Sequence, residues 1–446
     1  MDLIRPALKA IEILESNGFE AFTVGGAVRD FVMKKKPSDI DIATNALPED
    51  ILKVFTPKYK VIETGLKHGT LTVVINSFHM EITTYRLDGE YIDNRHPKEV
   101  YFTKNIYEDL SRRDFTINAM AYNPRTGILD PFDGMSDIKN KLIKCVGKPD
   151  KRFKEDALRI MRTLRFASVL DFEIEEETKN AIKITKNLLE NISKERISVE
   201  LIKFLCGNKP KDILIEYTDV FGVFIPEILA LKNFLQYNPY HIYDVLTHTG
   251  TVVENIENTF HLRLAALLHD IGKPQTFTKD ENEIGHFKGH PQIGEDIARN
   301  ILHNLKFDNF TISKVCTLVK YHDIHLEPNK KQIKKWLNKL GEENFFDLLK
   351  LKKADILAQN PDFLYRIDTV NEISNLAQKI IKENECFSLK HLEINGNDLI
   401  NMGISGKDIG MILNKILDMV LNEEISNSHE ILIKKATEIA NETEKN

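Results

Sequence analysis

Cysteine is scarce in this chain of 446 residues, and the four cysteines lie far apart, at Cys145, Cys206, Cys316 and Cys386. No two of them form a C-x-x-C pair, which argues against both a disulfide framework and a structural zinc site. The sequence also lacks an uninterrupted apolar run, so we expect neither a secretory signal nor a membrane span. These absences predict a protein of a reducing compartment, and we expect it to be cytoplasmic.

An excess of basic residues is missing too, since the formal net charge at pH 7 is -6. This charge argues against a globally basic nucleic-acid binder, although a basic face can sit on an acidic protein. We detect no fixed-period repeat. The chain is too long for one hydrophobic core, because single cores rarely grow past roughly 250 residues. We therefore expect a modular protein.

The hydrophobic pattern changes along the chain from β-rich to helical. Residues 1–145 mix helical stretches with β-rich runs, which predicts an α+β head built on a small mixed sheet. The expected strands are 21–24, 39–43, 69–75, 79–85 and 117–122. After this head, apolar residues recur at helical spacing, for example over 157–170 and 179–192. We divide this helical part into a neck (146–210), a body (211–340) and a C-terminal body or tail (341–446).

Paired glycines follow the first predicted strand. Gly25 and Gly26 would let the backbone approach a ligand closely, and the helix behind them would turn its N-H groups towards an anion such as a triphosphate. Arg29 lies on that helix. Gly-Gly is most often just a turn, so this feature alone is a weak signal.

Two aspartates follow closely. In Asp39-Ile40-Asp41-Ile42 the residues alternate as in a strand, which puts both carboxylates on one face, where they can bind a divalent metal. Asp-x-Asp also occurs by chance in acid-rich chains. A phosphate cradle that leads directly into a metal-binding strand is, however, what metal-assisted nucleotidyl transfer requires.

A third polar cluster precedes the strand predicted at 117–122. Arg113 could clamp phosphate, because a guanidinium pairs with two oxygens at once. Asp114 and Asn118 could hold a ribose. The alternative interpretation is a set of surface arginines ahead of a buried strand.

Asp156, Arg159, Arg162 and Arg165 recur at every third position of a predicted helix and would form one polar stripe. Cytosine and adenine both present an amino donor beside a ring-nitrogen acceptor, whereas uracil and guanine present a carbonyl in place of the amino group. An Asp and an Arg side by side could therefore select C and A without a template. An exposed, salt-bridged helix would show the same spacing.

The ordered motifs resemble the bacterial tRNA nucleotidyltransferases of class II, the CCA-adding enzymes, and the related bacterial poly(A) polymerases. The similar segments are Gly25-Gly26-Ala-Val-Arg29-Asp30 with Asp39-Ile-Asp41, Arg112-Arg113-Asp114-Phe-Thr-Ile-Asn118-Ala, Asp130-Pro-Phe-Asp-Gly134, Glu155-Asp156-Ala-Leu-Arg159 and Glu195-Arg196-Ile-Ser-Val-Glu200. The resemblance implies a nucleotidyltransferase head that uses CTP, ATP and tRNA.

The same resemblance assigns roles to individual residues. Asp39 and Asp41 would hold Mg²⁺, and Gly26, Arg29 and Arg113 would contact the nucleotide. Asp156 and Arg159 would read the base, with Arg162 and Arg165 nearby. Segment 85–97 resembles the family's flexible loop, which is associated with the switch from C to A, and contains Arg86, Asp88 and Arg95. The glycine-punctuated segment from Gly396 to Gly410 resembles its tRNA-binding tail.

A histidine-rich segment contains His248, His269-Asp270, His290 and His322-Asp323 in this order, and with them it resembles an HD domain. In such a domain an adjacent His and Asp share a pair of divalent metals, the carboxylate bridging them and the imidazoles coordinating terminally, for hydrolysis of a phosphate ester. The metal is not identified by the sequence. The candidate ligands are His248, His269, Asp270, His290, His322 and Asp323.

Several functions remain open at this point. The first is addition and repair of the tRNA 3'-terminal CCA, with release of pyrophosphate. The rivals are a poly(A) polymerase, an enzyme that adds only part of CCA, an HD phosphohydrolase with a degenerate head, and a non-catalytic RNA-binding protein. The presence of both Asp39 and Asp41 argues against a degenerate head.

Overall fold

The structure is a computed structural model that describes residues 4–89 and 99–443. The chain divides into two compact units, with the boundary between Leu229 and Ala230. The first unit contains the sheet and the second is almost entirely helical. The prediction of an α+β fold with a mixed sheet in the head is confirmed. The finer division into head, neck, body and tail stays a prediction.

The first unit is built on one mixed sheet of seven strands in the order β3-β4-β5-β2-β1-β8-β9. β2 pairs in parallel with β5, while its other neighbour, β1, is antiparallel. The strands of this unit are β1 (Ala21–Val24), β2 (Asp41–Thr44), β3 (Lys60–Gly65), β4 (Thr70–Ile75), β5 (Phe78–Thr84), β6 (Arg86–Asp88), β7 (Val100–Phe102), β8 (Ala121–Asn123), β9 (Gly127–Leu129), β10 (Leu142–Ile143) and β11 (Glu173–Ile174).

Helices cover the sheet and continue beyond it. Apolar side chains of β2, β4 and β5 pack with α1 and α3 into one core that includes Leu14, Ile42, Phe55 and Leu71. The helices of this unit are α1 (Ile4–Ser16), α2 (Gly26–Val32), α3 (Pro48–Phe55), α4 (Ile106–Ser111), α5 (Gly134–Lys139), α6 (Pro149–Glu155), α7 (Leu158–Leu170), α8 (Glu176–Thr185), α9 (Lys194–Leu205), α10 (Pro210–Glu216) and α11 (Thr218–Phe221).

The second unit has helices α12 to α21 and one short hairpin. α17 is kinked at Gly341, which adopts φ of 74°, a conformation that favours glycine. The elements are α12 (Val245–Asn255), α13 (Phe260–Leu268), α14 (Lys273–Thr276), β12 (Thr278–Lys279), β13 (Gly285–His286), α15 (His290–Asn304), α16 (Asn309–Tyr321), α17 (Lys330–Leu357), α18 (Arg366–Lys382), α19 (Gly396–Asn401), α20 (Lys407–Leu421) and α21 (His429–Thr443).

Two elements predicted from the sequence have different bounds in the structure. The strand expected at 117–122 begins only at Ala121, because Thr116–Asn118 forms a 3-10 turn. The backbone N-H of Thr116 donates to Lys144 and its hydroxyl to Asp137, which holds the turn in place. The helix expected over 179–192 runs from Glu176 to Thr185 and continues as a 3-10 turn, Lys186–Asn191.

Candidate active site

The glycine pair forms the tight turn between β1 and α2. Gly25 has φ of 73°, a left-handed conformation that L side chains rarely adopt. A Cβ atom at Gly25 would also lie 3.0 Å from Nη1 of Arg113. This position therefore requires glycine both for its backbone and for the approach of the arginine.

The two carboxylates emerge beside this turn. Asp41 is the first residue of β2, and Asp39 lies just before the strand rather than within it. Both are exposed, whereas Ile40 and Ile42 are buried, so the alternation predicted from the sequence is present. Both aspartates line a cavity of about 830 Å³ together with Gly25.

The pKa of one of these carboxylates, that of Asp41, is raised by its surroundings. Although Asp41 faces the cavity, burial by the surrounding protein and the charges of Asp39 and Glu81 raise its pKa to about 6. Glu81 lies on β5, directly across the parallel pairing from Asp41. A bound divalent cation would relieve this repulsion between carboxylates, so the site suits a metal. Glu81 was not predicted from the sequence, where its only signal is its polar position in an alternating strand.

Every other nucleotide-binding residue predicted from the sequence lines the same cavity. These residues come from the β1–α2 turn, the segment after α4, and the start and length of α7, and they are Gly26, Arg29, Arg113, Asp114, Asn118, Asp156, Arg159, Arg162 and Arg165. The structure thus brings together segments that lie more than a hundred residues apart in the sequence.

Arg29 and Arg113 are held by neighbouring side chains. Nη1 of Arg29 donates to Oδ1 of Asn118 at 2.8 Å, and its Nε donates to Asp30 at 3.0 Å. Nη2 of Arg113 donates to Oδ2 of the buried Asp109 at 3.3 Å. These bonds fix the direction of both guanidinium groups beside the carboxylates.

Asp114 is buried, and its oxygens bond to protein groups. Oδ2 accepts from Nε of Arg162 at 2.8 Å, while Oδ1 accepts from Nδ2 of Asn118 at 3.1 Å and from the backbone of Phe115 at 2.8 Å. Burial alone would raise the pKa of Asp114, but the charge and hydrogen bonds of Arg162 and the bond from Asn118 lower it to about 2. Asp114 therefore orients Arg162, and its proposed contact with a ribose stays a prediction.

Asp156 and Arg159 sit at the start of α7 with partners of their own. Oδ2 of Asp156 lies 3.1 Å from Nη2 of Arg196, a residue of α9 to which the sequence analysis gave no role. Arg159 is 8% exposed, and it donates to Glu155 at 3.0 Å and to the carbonyl oxygen of Arg112 at 2.8 Å. The stripe is therefore not an exposed salt-bridged face. Arg159 is positioned by the segment that precedes Arg113.

The predicted loop is described only in part. Arg86 begins β6, lines the cavity and donates from Nη1 to the carbonyl oxygen of His68 at 2.8 Å. Asp88 ends β6. Arg95 lies outside the described residues, so the role of this loop stays a prediction.

A second cluster of titratable residues lies in the second unit. Nε2 of His248 and of His269 lie 3.4 and 3.2 Å from Oδ2 of Asp270. Nε2 of His290 and of His322 lie 3.5 and 3.6 Å from its other oxygen, Oδ1. Each carboxylate oxygen thus faces its own pair of imidazoles, which is the arrangement expected for a carboxylate that bridges two metals.

The backbone orients all of these imidazoles. Nδ1 of His269, His290 and His322 donates to a carbonyl oxygen three residues earlier at 2.7 to 2.8 Å. Nδ1 of His248 lies 3.3 Å from the carbonyl oxygen of Ala358. These bonds select the tautomer that directs the Nε2 lone pair to the centre, as in metal-binding histidines.

Asp323 is a metal ligand predicted from the sequence, and that role stays a prediction, whereas Asp355 was not predicted and lies beside His248. Asp323 is exposed on the wall of the adjoining cavity and belongs to neither group of converging ligand atoms that we find in residues 4–89 and 99–443. Oδ1 of Asp355, on α17, instead lies 2.9 Å from Nε2 of His248. Asp355 has no motif around it in the sequence, and only the packing of α17 against α12 identifies it.

The cavity at this cluster has a volume of about 500 Å³ and contains basic groups. Lys273 is 4% exposed, and its Nζ lies 2.7 Å from Asp270 and donates to Gln236 at 2.7 Å. Burial alone would raise the pKa of Asp270, but the charges of His269, when this imidazole is protonated, and of Lys273 hold that pKa well below its ordinary value. The cluster thus contains an ionised carboxylate among nitrogen ligands.

Three glycines of the predicted tail lie at helix ends, whereas Gly410 lies within α20. Gly396 begins α19, and Gly406 precedes α20 with φ of 66°. Gly403 follows α19 with φ of 86°. Helix capping accounts for these glycines, so their contact with tRNA phosphates stays a prediction. In the described ranges, 4–89 and 99–443, no helix has both the length and the apolar character needed to cross a membrane.

Models of known domains match three parts of the chain. Residues 21–144 match the "Poly A polymerase head domain". Residues 171–232 match the "Probable RNA and SrmB- binding site of polymerase A", and residues 275–436 match the "tRNA nucleotidyltransferase domain 2 putative". The first of these contains the glycine turn and both aspartates of the cavity.

Two relatives that match nearly the whole chain are named CCA-adding enzymes. The CCA-adding enzyme of Ligilactobacillus salivarius is 34% identical over 99% of this chain and 98% of its own length. That of Lactobacillus helveticus is 34% identical over 97% of this chain and 96% of its own. The crystal structure of the Bacillus stearothermophilus CCA-adding enzyme in complex with CTP superposes with a TM-score of 0.73 at 28% identity and covers 100% of both chains. With this similarity along its whole length, the chain belongs to the family of CCA-adding enzymes.

Proposed function

We propose that this protein adds and repairs the 3'-terminal CCA of tRNA from CTP and ATP and releases pyrophosphate. The observation that carries the proposal is the single cavity in which Asp39 and Asp41 face the arginines of α2 and α7. The crystal structure of the relative from Bacillus stearothermophilus is a complex with CTP, and the structure of the Thermotoga maritima CCA-adding enzyme is a complex with tRNA. A tRNA substrate and reduced cysteines fit a cytoplasmic location.

Different residues of the cavity have different roles in the reaction. Asp39 and Asp41 would hold Mg²⁺, which when bound stabilises the attacking and leaving oxygens. Arg29 and Arg113 bind the triphosphate and align its α-phosphorus with the tRNA 3'-hydroxyl. The hydroxyl oxygen forms the new bond to phosphorus, and pyrophosphate leaves.

Asp156 and Arg159 select the base. A carboxylate has about four acceptor sites, and Asp156 accepts from Arg196 and from the backbone of Leu158, so capacity remains for an amino group. Among the described residues, Arg159 bonds through Nη1 and Nη2, and its Nε-H can still donate to a ring nitrogen. This pairing fits cytosine and adenine but not uracil or guanine.

Incorporation of labelled CTP into tRNA that lacks CCA tests the transfer step. We expect Asp39→Asn and Asp41→Asn each to abolish incorporation, while tRNA binding measured by filter retention stays within about twofold. Glu49→Gln is the matched control, since Glu49 is an exposed carboxylate in the first turn of α3. Full activity of Asp41→Asn, or equal loss of activity in Glu49→Gln, would contradict the assignment.

We further propose that the second unit contains an HD site that holds two divalent metals and hydrolyses a phosphate ester. Support comes from the four imidazoles directed by backbone carbonyls at the two oxygens of Asp270. Metals bound there would activate water and polarise the ester. Lys273, which is buried beside Asp270, would bind a phosphate oxygen.

Metal content and phosphatase activity test this second site separately. With p-nitrophenyl phosphate as substrate and Ni²⁺, Mn²⁺ or Mg²⁺ added in turn, we expect hydrolysis by the wild type and its loss in His290→Ala. His303→Ala is the control, because His303 is an exposed histidine on the same helix. Unchanged metal content in His290→Ala would refute the site, and CCA addition should be unaffected in both variants.

A further inference from the structure

The ring of Phe166 lies among three arginines of the nucleotide cavity. The guanidinium carbons of Arg165, Arg29 and Arg162 lie 4.1, 5.3 and 5.5 Å from its centroid. A cation within about 6 Å of an aromatic centroid is attracted by the negative face of the ring. Phe166 is 7% exposed and lines the cavity with all three.

Three like charges in one place need compensation. Each guanidinium has an acidic partner: Arg29 pairs with Asp30, Arg162 with Asp114, and Arg165 with Glu200. Burial lowers the pKa of Arg165, and the charges of Arg162 and Arg29 add to this effect while Glu200 opposes it. Each arginine thus pairs with a different carboxylate, whereas all three guanidinium groups lie beside the same ring, that of Phe166.

A neighbouring ring fixes the orientation of Phe166. Phe115 is fully buried, and its ring meets that of Phe166 edge to face, with centroids 5.6 Å apart and an interplanar angle of 80°. This geometry is the preferred one for aromatic pairs. Phe115 directly follows Asp114, the partner of Arg162, so the segment that holds one arginine by its carboxylate also braces the ring.

We infer that Phe166 is a positioning residue that holds Arg29, Arg162 and Arg165 in place to receive the polyphosphate of an incoming nucleoside triphosphate. This inference rests on the proposed CCA addition. The ring acts through the arginines and contacts no base in this scheme. Its contribution is therefore the same for CTP and ATP, and the choice between bases is left to Asp156 and Arg159.

Substitution by leucine removes the ring and keeps an apolar side chain. We expect Phe166→Leu to raise the dissociation constants of both CTP and ATP about tenfold, since the attraction of the ring for the three guanidinium groups is lost. The ratio of the two constants and kcat should stay within about twofold. Phe172→Leu is the matched control, because Phe172 follows the same helix and is buried to a similar degree, at 5% exposure. It should leave both constants unchanged.

Fluorination tests the effect of the π electrons of the ring separately from the effect of its shape. Incorporation of 4-fluoro-, 3,5-difluoro- and pentafluorophenylalanine at position 166 withdraws electron density stepwise while the volume changes little. We expect the dissociation constant of CTP to rise at each step. A flat series, with pentafluorophenylalanine as good as phenylalanine, would overturn the inference and leave Phe166 as packing.

The binding readout also keeps this inference distinct from the proposed function. If the wild type binds CTP but extends no tRNA, CCA addition fails, while the fluorinated series still decides the role of Phe166. If the wild type completes CCA and the series is flat, only the inference about Phe166 fails.

Discussion

The buried pair of Asp114 and Arg162 allows a quantitative prediction. The pKa of Asp114 lies at about 2, below the ordinary value of 3.8. This difference corresponds to about 2 to 3 kcal/mol in favour of the ionised form. Asp114→Asn keeps the shape of the side chain and removes its charge. We therefore expect the free energy of unfolding of the first unit to fall by about 2 to 3 kcal/mol at pH 7.

The sign of the pH dependence follows from the same value. Because the pKa of Asp114 is lower in the folded state, its stabilisation is complete above the unfolded value and is lost as the pH falls through about 2. The difference in the free energy of unfolding between the wild type and Asp114→Asn should therefore fall to about half of its value at pH 7 when the pH is lowered to 3. For a unit of this size, the loss at pH 7 corresponds to a fall of about 5 to 10 °C in Tm.

Hydrogen exchange measured by mass spectrometry suits this prediction, since it reports on each unit separately. The only tryptophan, Trp336, lies on α17 in the second unit, so its fluorescence does not follow the sheet. Peptides covering β1 and β8 should lose protection in Asp114→Asn. The control Asp212→Asn neutralises an exposed carboxylate on α10 and should stay within about 0.5 kcal/mol of the wild type. Equal stability of Asp114→Asn at pH 7, or a gap that does not narrow at pH 3, would refute the reasoning.

Three further predictions concern activity. Arg159→Ala should raise incorporation of UTP relative to CTP more than it weakens triphosphate binding, because we propose that Arg159 donates to the base; an unchanged ratio would exclude base reading. The pKa of Asp41 is about 6, so the Mg²⁺ concentration for half-maximal activity should rise about fivefold between pH 6 and pH 5, and a flat profile would contradict this. Asp355→Ala should release metal from the proposed HD site and abolish the proposed phosphatase activity with CCA addition intact, because Asp355 bonds to His248; retained metal would show that Asp355 is no ligand.

Local patterns made the glycine turn and the carboxylates predictable. A positive φ at Gly25 and the alternation of aspartate with buried isoleucine depend on a few neighbouring residues. The same holds for His269 and Asp270, which are adjacent in the chain. Such features can be read from the sequence because the chemistry and the backbone requirement lie in one short segment.

Contacts between distant segments were not predictable in the same way. Asp355 reaches His248 only because α17 packs on α12, and Arg196 reaches Asp156 from α9. The cations around Phe166 likewise depend on how α2 and α7 meet. The strand expected at 117–122 was shortened by hydrogen bonds to Lys144 and Asp137, which the local pattern does not contain.

The central claim is tested most directly by the length of the product on a tRNA without its CCA end. The purified protein is supplied with Mg²⁺ and with CTP alone, ATP alone or both, and the products are resolved to single nucleotides. We predict two added residues with CTP and a stop at three with both nucleotides. A stop at two with both, a ladder of A residues, or no extension would contradict CCA addition.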